Sequence, residues 1–362
     1  MLAAFVSVFL VLTQPAPQRG AVPSQSPLEI CKRGRNSSAE NSHESYDDGT
    51  VRWRVHWSGD DCTVDLRATG EPRFNAEFTD IVGVSNGGTL DITAITGSHV
   101  RKISFRSNGG TLTRSQTIDG SPRPWDDTAQ KWLADLLIDL DRMSGIGVSY
   151  RLPSLLARGG VRAVLDETEK FSSDYVRSLY LLRLIDQRQL SEDEYQRIVV
   201  TAARDVRSDY EMSRILRAVA ERSTLENAAT RRAYLEAVDH MTSDYERSRI
   251  LQTIFARTQL SRDLVREAVR SAGTFRSDYE RSQVLLAALG NKSLTDADAQ
   301  PVVDAVAKSS SDYEKSRVLR AVAARFTLDA EARRAYLRAA GTIKSDYENR
   351  RVLAALVKSD GR

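Results

Sequence analysis

Hydrophobic and polar positions follow two different periods along this chain. From residue 51 the period is two. Val51, Trp53, Val55 and Trp57 alternate with Arg52, Arg54 and His56, and Cys62, Val64 and Leu66 alternate with Thr63, Asp65 and Arg67. Such short alternating runs predict half-buried β-strands, joined here by Ser58-Gly59-Asp60-Asp61. Phe74, Ala76 and Phe78 extend the pattern. The string Ser-Asn-Gly-Gly-Thr-Leu then occurs twice, at residues 85–90 and 107–112. Asn-Gly tolerates the positive φ of tight turns, so a duplicated hairpin is expected. Residues 50–121 read as a small antiparallel β domain.

Beyond it the period becomes helical. Trp132, Leu133, Leu136, Leu137 and Leu140 share one face of a helix over residues 125–143, which Ser144-Gly145-Ile146-Gly147 ends. Leu152 to Phe171, interrupted by Gly159-Gly160, continues as helix. Residues 122–172 form a helical connector that caps the rest of the chain. Ser-Asp-Tyr then occurs six times, with aspartates at Asp174, Asp209, Asp244, Asp278, Asp312 and Asp346, spaced 35, 35, 34, 34 and 34. Leu190, Leu225, Leu260, Leu294 and Leu328 keep the same period. Two helical segments per period of this length predict stacked helical hairpins. The fold class expected is mainly α: an α-solenoid of HEAT-like repeats over residues 173–358, preceded by the β domain.

Each motif reads as a helix start. In five copies Glu follows Tyr, completing Ser-x-x-Glu, a capping box in which Ser caps the helix and Glu reaches back to it. The aspartate lies in the first turn, where the helix dipole favours negative charge. Arg214, Arg249, Arg317 and Arg351 stand three residues after their glutamates, in reach for pairing. Ser191, Ser261, Thr295 and Asp329 are caps for the second helices, and Pro301 predicts a kink or a late start in the fourth. Five residues after each motif serine stand Ser178, Ser213, Ser248, Ser282 and Ser316, small enough for close stacking. The last copy has Arg350 there, as expected of a terminal layer.

The tetratricopeptide pattern of similar period is absent, since its Trp, Gly, Ala and Pro positions are not met. Over roughly residues 80–358 the Ser-Asp-Tyr-Glu repeats after a small β domain resemble uncharacterised bacterial envelope proteins. They are also similar to the C-terminal region of some penicillin-sensor-type antirepressor metallopeptidases. The peptidase motif His-Glu-x-x-His has no counterpart: His43-Glu44 is followed by Ser-Tyr-Asp. The resemblance therefore implies a place in the envelope and no peptidase activity.

The apolar run Leu2–Leu12 is too short to span a bilayer as a helix and fits the core of a signal peptide. No Lys or Arg precedes it and no Ala-x-Ala comes after it. Residues 1–24 read as a signal-peptide-like segment and residues 25–49 as a flexible linker rich in Pro, Ser and charge. Export would place the only two cysteines, Cys31 and Cys62, in an oxidising compartment where an even pair implies a disulfide. The expected location is extracytoplasmic, periplasmic or secreted, with the N-terminal segment as a candidate tether and no membrane span in the mature chain. A net charge of +3 among 362 residues leaves no bulk basic field, so no nucleic acid is expected.

Catalytic chemistry finds no foothold. The four histidines, His43, His56, His99 and His240, lie in different predicted elements without metal-ligand spacing. No glycine-rich phosphate loop precedes a helix. No cofactor and no catalytic residue is assigned. The sharpest candidate is a ladder formed by stacking: Asp174, Tyr175, Asp209, Tyr210, Asp244, Tyr245, Asp278, Tyr279, Asp312, Tyr313, Asp346 and Tyr347 along one edge. Such a row of carboxylates and phenols suits an extended basic peptide or a partner's loop. Capping and packing are the competing roles for the same residues. Capping accounts for Ser and Glu and in part for Asp, but not for Tyr in all six copies. The function expected is a non-catalytic extracytoplasmic scaffold that binds an unknown protein partner through the solenoid surface. The alternative is a hydrolase, or a regulatory component of an envelope signalling system.

Overall fold

A computed structural model describes residues 37–45, 51–59, 62–85 and 87–360. The described residues divide into two compact units, one holding those up to 74 and 79–139, the other 75–78 and those from 140 onward. The first unit is built on a seven-stranded antiparallel sheet in the order β1(Ser37–Ser45), β2(Val51–Gly59), β3(Cys62–Thr69), β6(Thr89–Thr96), β7(His99–Asn108), β8(Thr111–Ile118), β9(Ser121–Arg123). The short strands β4(Pro72–Phe74) and β5(Ile81–Val84) pair separately. The alternating pattern is borne out: Val55, Trp57, Val64, Leu66, Leu90, Ile92, Ile103 and Phe105 are buried, while Arg52, Arg54 and Arg67 face solvent.

Three expectations here need correction. The linker expected over residues 25–49 contains β1, paired along its whole length with β2. Its sequence, Ser-Ser-Ala-Glu-Asn-Ser-His-Glu-Ser, has no apolar alternation. An edge strand can form on backbone hydrogen bonds to its neighbour, so this one left no hydrophobic signature. Only the second Asn-Gly-Gly string is a hairpin tip: Asn108 faces Thr111 across Gly109 and Gly110, both at positive φ. The first string joins β5 to β6, which belong to different sheets. It lies against the second, with Gly87 N donating to Ser107 O and Ser107 N to Gly88 O. A Cβ on Gly88 would come within 2.6 Å of the Thr69 carbonyl oxygen, so the close approach requires glycine. Finally, the strand alternation stops at Phe74. Phe78 sits in a turn at positive φ, belongs to the second unit and packs there against Tyr150, with ring centroids 5.9 Å apart.

The helices are α1(Asp127–Ser144), α2(Val148–Thr168), and then α3(Asp174–Gln187), α4(Glu192–Asp205), α5(Asp209–Arg222), α6(Ala228–His240), α7(Asp244–Phe255), α8(Arg262–Ala272), α9(Asp278–Gly290), α10(Ala299–Ala307), α11(Asp312–Arg325), α12(Ala330–Gly341) and α13(Asp346–Asp360). Gly159 and Gly160 break α2 as their sequence suggested. From α3 on, odd-numbered helices pack on odd and even on even, giving two parallel layers of helical hairpins around one continuous core. The interval at Pro301 resolves as a late start: a 3₁₀ turn at Asp296–Asp298 precedes α10, and Pro301 falls in the first turn, where no backbone hydrogen bond is lost. Among the described residues no helix is long and apolar enough to cross a membrane.

Candidate functional site

The odd-numbered repeat helices each begin at a motif serine. Ser173, Ser208, Ser243, Ser277, Ser311 and Ser345 each accept the backbone N–H three residues on, so the capping half of the expected box is present in every copy. The glutamate half is not. Only Ser191–Glu194 and Thr295–Asp298, both at second helices, form complete boxes among the described residues.

The motif aspartates explain the difference. Asp174 Oδ2 accepts the N–H groups of Arg207 and Ser208 of the next repeat, both at 2.8 Å. Asp209 takes those of Thr242 and Ser243, Asp244 those of Arg276 and Ser277, Asp278 those of Ser310 and Ser311, and Asp312 those of Lys344 and Ser345. The N–H of each capping serine from the second repeat on is thus held by the preceding repeat, and the motif glutamate has no cap to reach for. It turns sideways. Glu211, Glu246, Glu314 and Glu348 pair with Arg214, Arg249, Arg317 and Arg351 at 2.8, 3.6, 2.7 and 3.1 Å. Glu211 and Glu314 also accept the hydroxyls of Ser178 and Ser282 in the repeat before. The small serines are buried as expected, and Arg350 in their place is exposed.

The second oxygen of several aspartates is engaged as well. Asp174, Asp244 and Asp278 Oδ1 receive Arg177, Arg247 and Arg281. Burial pushes the Asp278 carboxyl up, but hydrogen bonds from Ser310, Ser311 and Arg281 outweigh it and hold it below the usual carboxylate range. Five of the six ladder carboxylates are therefore stitches between repeats.

The tyrosines differ. Tyr175, Tyr210, Tyr245, Tyr279, Tyr313 and Tyr347 are 52% to 66% exposed. Arg214, Arg249, Arg317 and Arg351 stack over Tyr210, Tyr245, Tyr313 and Tyr347 at 5.9, 5.6, 5.7 and 5.2 Å. The same arginines are held from the other side by the motif glutamates. Each such ring is thereby flanked by an oriented guanidinium whose charge is neutralised. Neighbouring helices pack about 8–10 Å apart, so the rings recur at about that interval.

One cluster gave no sequence signal. Asp141 of α1 accepts Arg151 Nη1 at 2.7 Å, the Tyr180 hydroxyl at 2.6 Å and the Gly147 N–H at 2.7 Å. Arg151 also reaches Glu167, which Arg142 and Lys170 join. Burial raises the Glu167 carboxyl, but Arg142, Arg151 and Lys170 more than offset this and lower it to about 2. Burial and then Asp141 push the Tyr180 phenol up. This network pins the start of the helical unit. Its members are scattered from residue 141 to 180, so no spacing rule could collect them.

Cys62 is disulfide-bonded; Cys31, the partner expected for it, lies outside the described residues, as do residues 1–24. A cleft of about 720 Å³ between α2 and α4 is lined by Arg162, Asp166, Glu169, Asp193 and Arg197 among others, with no His or Cys. Among the described residues no group of three or more His, Cys, Asp or Glu is placed to hold a metal ion. No protein-family model matches the chain, and no curated protein matches it in sequence.

Proposed function

We propose that the chain is a non-catalytic binding scaffold, and that it engages an extended segment of a partner protein through the row of six motif tyrosines. The observation that carries this reading is their exposure. The motif serines cap, five of the six aspartates stitch and four of the glutamates pair with arginines, whereas all six rings, four of them beneath a motif arginine, keep half or more of their surface in water. Tyr and Arg are the residues that most often dominate protein interfaces, because they offer large, stiff contact area with a polar tip. An extended chain rises about 3.3 Å per residue, so every third residue would meet the next ring. Export belongs to the same proposal; the apolar N-terminal run, the disulfide at Cys62 and the resemblance of the repeats to envelope proteins support it.

The test is cross-linking capture from native cells. The intact protein is compared with one carrying Tyr→Ala at Tyr210, Tyr245, Tyr279 and Tyr313. These rings project outward, so the variant should keep its helicity and melting temperature. A partner held by the intact protein and lost with the folded variant supports the reading. The same partner on both would refute it and direct attention to the charged clefts beside the even-numbered helices.

A further inference from the structure

The repeats are joined in one geometry. At each of the five junctions the motif aspartate holds the N–H of the next capping serine, at 2.7 or 2.8 Å. A constant stitch gives a constant step from layer to layer. The tyrosine row therefore has a single pitch, the 8–10 Å that separates packed helices. From Tyr175 to Tyr347 it takes five such steps. A ligand that meets several rings alike must repeat on one face at the same pitch.

The hydrogen-bonding groups left open along the row are mostly donors. None of the six phenol O–H groups has a partner among the described residues. Arg214, Arg249, Arg317 and Arg351 give only Nη1 to their glutamates. Their Nε and Nη2 have no partner among the described residues, and each guanidinium lies over a ring. The acceptors, by contrast, are largely spent. Five of the six aspartates are held in stitches and four of the five glutamates in ion pairs. The complementary ligand is rich in acceptors, poor in donors and apolar enough to lie on rings.

We infer that the partner segment is proline-rich and lies across the rings as a polyproline II helix; this rests on the tyrosine row being the binding face. Polyproline II has three residues per turn and rises about 3.1 Å per residue, so each of its faces repeats about every 9.3 Å. A β-strand repeats on one face about every 6.6 Å, and an α-helix about every 5.4 Å. Neither those steps nor their doubles fall within 8–10 Å. Proline has no N–H to leave unpaired. The polyproline II backbone makes no internal hydrogen bonds, so its carbonyls stay open to the phenol and guanidinium donors. One pyrrolidine ring per turn packs beside each tyrosine. The fixed φ of proline keeps the ordering cost of binding low. About 16 residues would reach from the first ring to the sixth.

Fluorescence anisotropy of a labelled oligoproline of about 16 residues, titrated with the full chain, tests this. The expected result is saturable binding that tightens as the oligoproline grows from about 7 to about 16 residues, each added turn reaching another ring. Tyr→Ala at Tyr210, Tyr245, Tyr279 and Tyr313, with circular dichroism unchanged, should weaken it at least about tenfold. Tyr→Phe at the same four positions keeps the rings and removes the donors, and should fall between that variant and the wild type. A Gly-Ser peptide of equal length offers carbonyls without the rings or the fixed period, and should not bind. An oligoproline that does not bind, binding indifferent to its length, equal binding of the Gly-Ser peptide, or binding that survives Tyr→Ala would each overturn the inference. A captured partner lost with the Tyr→Ala variant, beside an oligoproline that does not bind, would sink this inference and leave the tyrosine-row reading standing, so the two fail separately.

Discussion

Asp244→Ala separates stitching from helix-start effects. The carboxylate accepts two backbone N–H groups of the following repeat, from Arg276 at 2.6 Å and Ser277 at 2.7 Å, and also faces Arg247 at 3.4 Å. A hydrogen bond to a charged group contributes about 1.5–3 kcal/mol, but Arg276 is exposed and Ser277 half-buried, so water can replace part of the loss. The expected cost of the substitution is about 2–4 kcal/mol. Asp346→Ala removes the same residue from the same place in a helix first turn, with no later repeat to stitch. It should cost only the helix-dipole contribution of about 0.3–1 kcal/mol. For a helical unit of this size the difference corresponds to a melting shift of about 5–10 °C. Repeat arrays need not unfold as one unit, so amide exchange supplies a second readout, with Arg276 and Ser277 losing protection in Asp244→Ala. Equal destabilisation by the two substitutions, or unchanged exchange at Arg276 and Ser277, would refute the stitching role.

The same geometry sets further expectations. Ser282 is fully buried between layers, so Ser282→Arg should destabilise by at least about 3 kcal/mol through overpacking and a buried charge, whereas Arg350→Ser, at an exposed position, should leave the melting temperature unchanged. The Glu167 carboxyl is depressed to about 2, so its contribution is fully present above the ordinary carboxylate range and is lost as pH falls from about 4.5 towards 2. Glu167→Gln should flatten that part of the acid-unfolding profile monitored by circular dichroism. Gly88→Ala forces a Cβ against the Thr69 and Ser85 carbonyl oxygens and should lower the melting temperature of the β unit. Gly290→Ala, with nothing within 4 Å of the added carbon, should be neutral or slightly stabilising in the same assay.

What the sequence determined by itself was whatever repeats or alternates locally. The six Ser-Asp-Tyr copies announced six helix starts because capping acts over three residues, and all six serines cap. The period-two runs marked β2 and β3 because each has a face turned to a core. The run of small serines ending at Arg350 announced close stacking and its interruption, because side-chain volume decides how near two helices can come. The tertiary structure decided which group meets which across the period. That Asp209 serves Thr242 and Ser243, and so displaces Glu246 from the cap its own helix offers, depends on the stacking offset between layers. No spacing within one helix encodes that offset. The polar strand β1 was illegible because its register comes from backbone pairing with β2. The Asp141–Arg151–Glu167 network was illegible because burial, not spacing, gathers it. The motif's Asp and Tyr looked alike in sequence, both invariant over six copies. Only the packed array separates them: the short carboxylate is drawn inward by the next repeat's amides, and the long ring, one position on, is left in water.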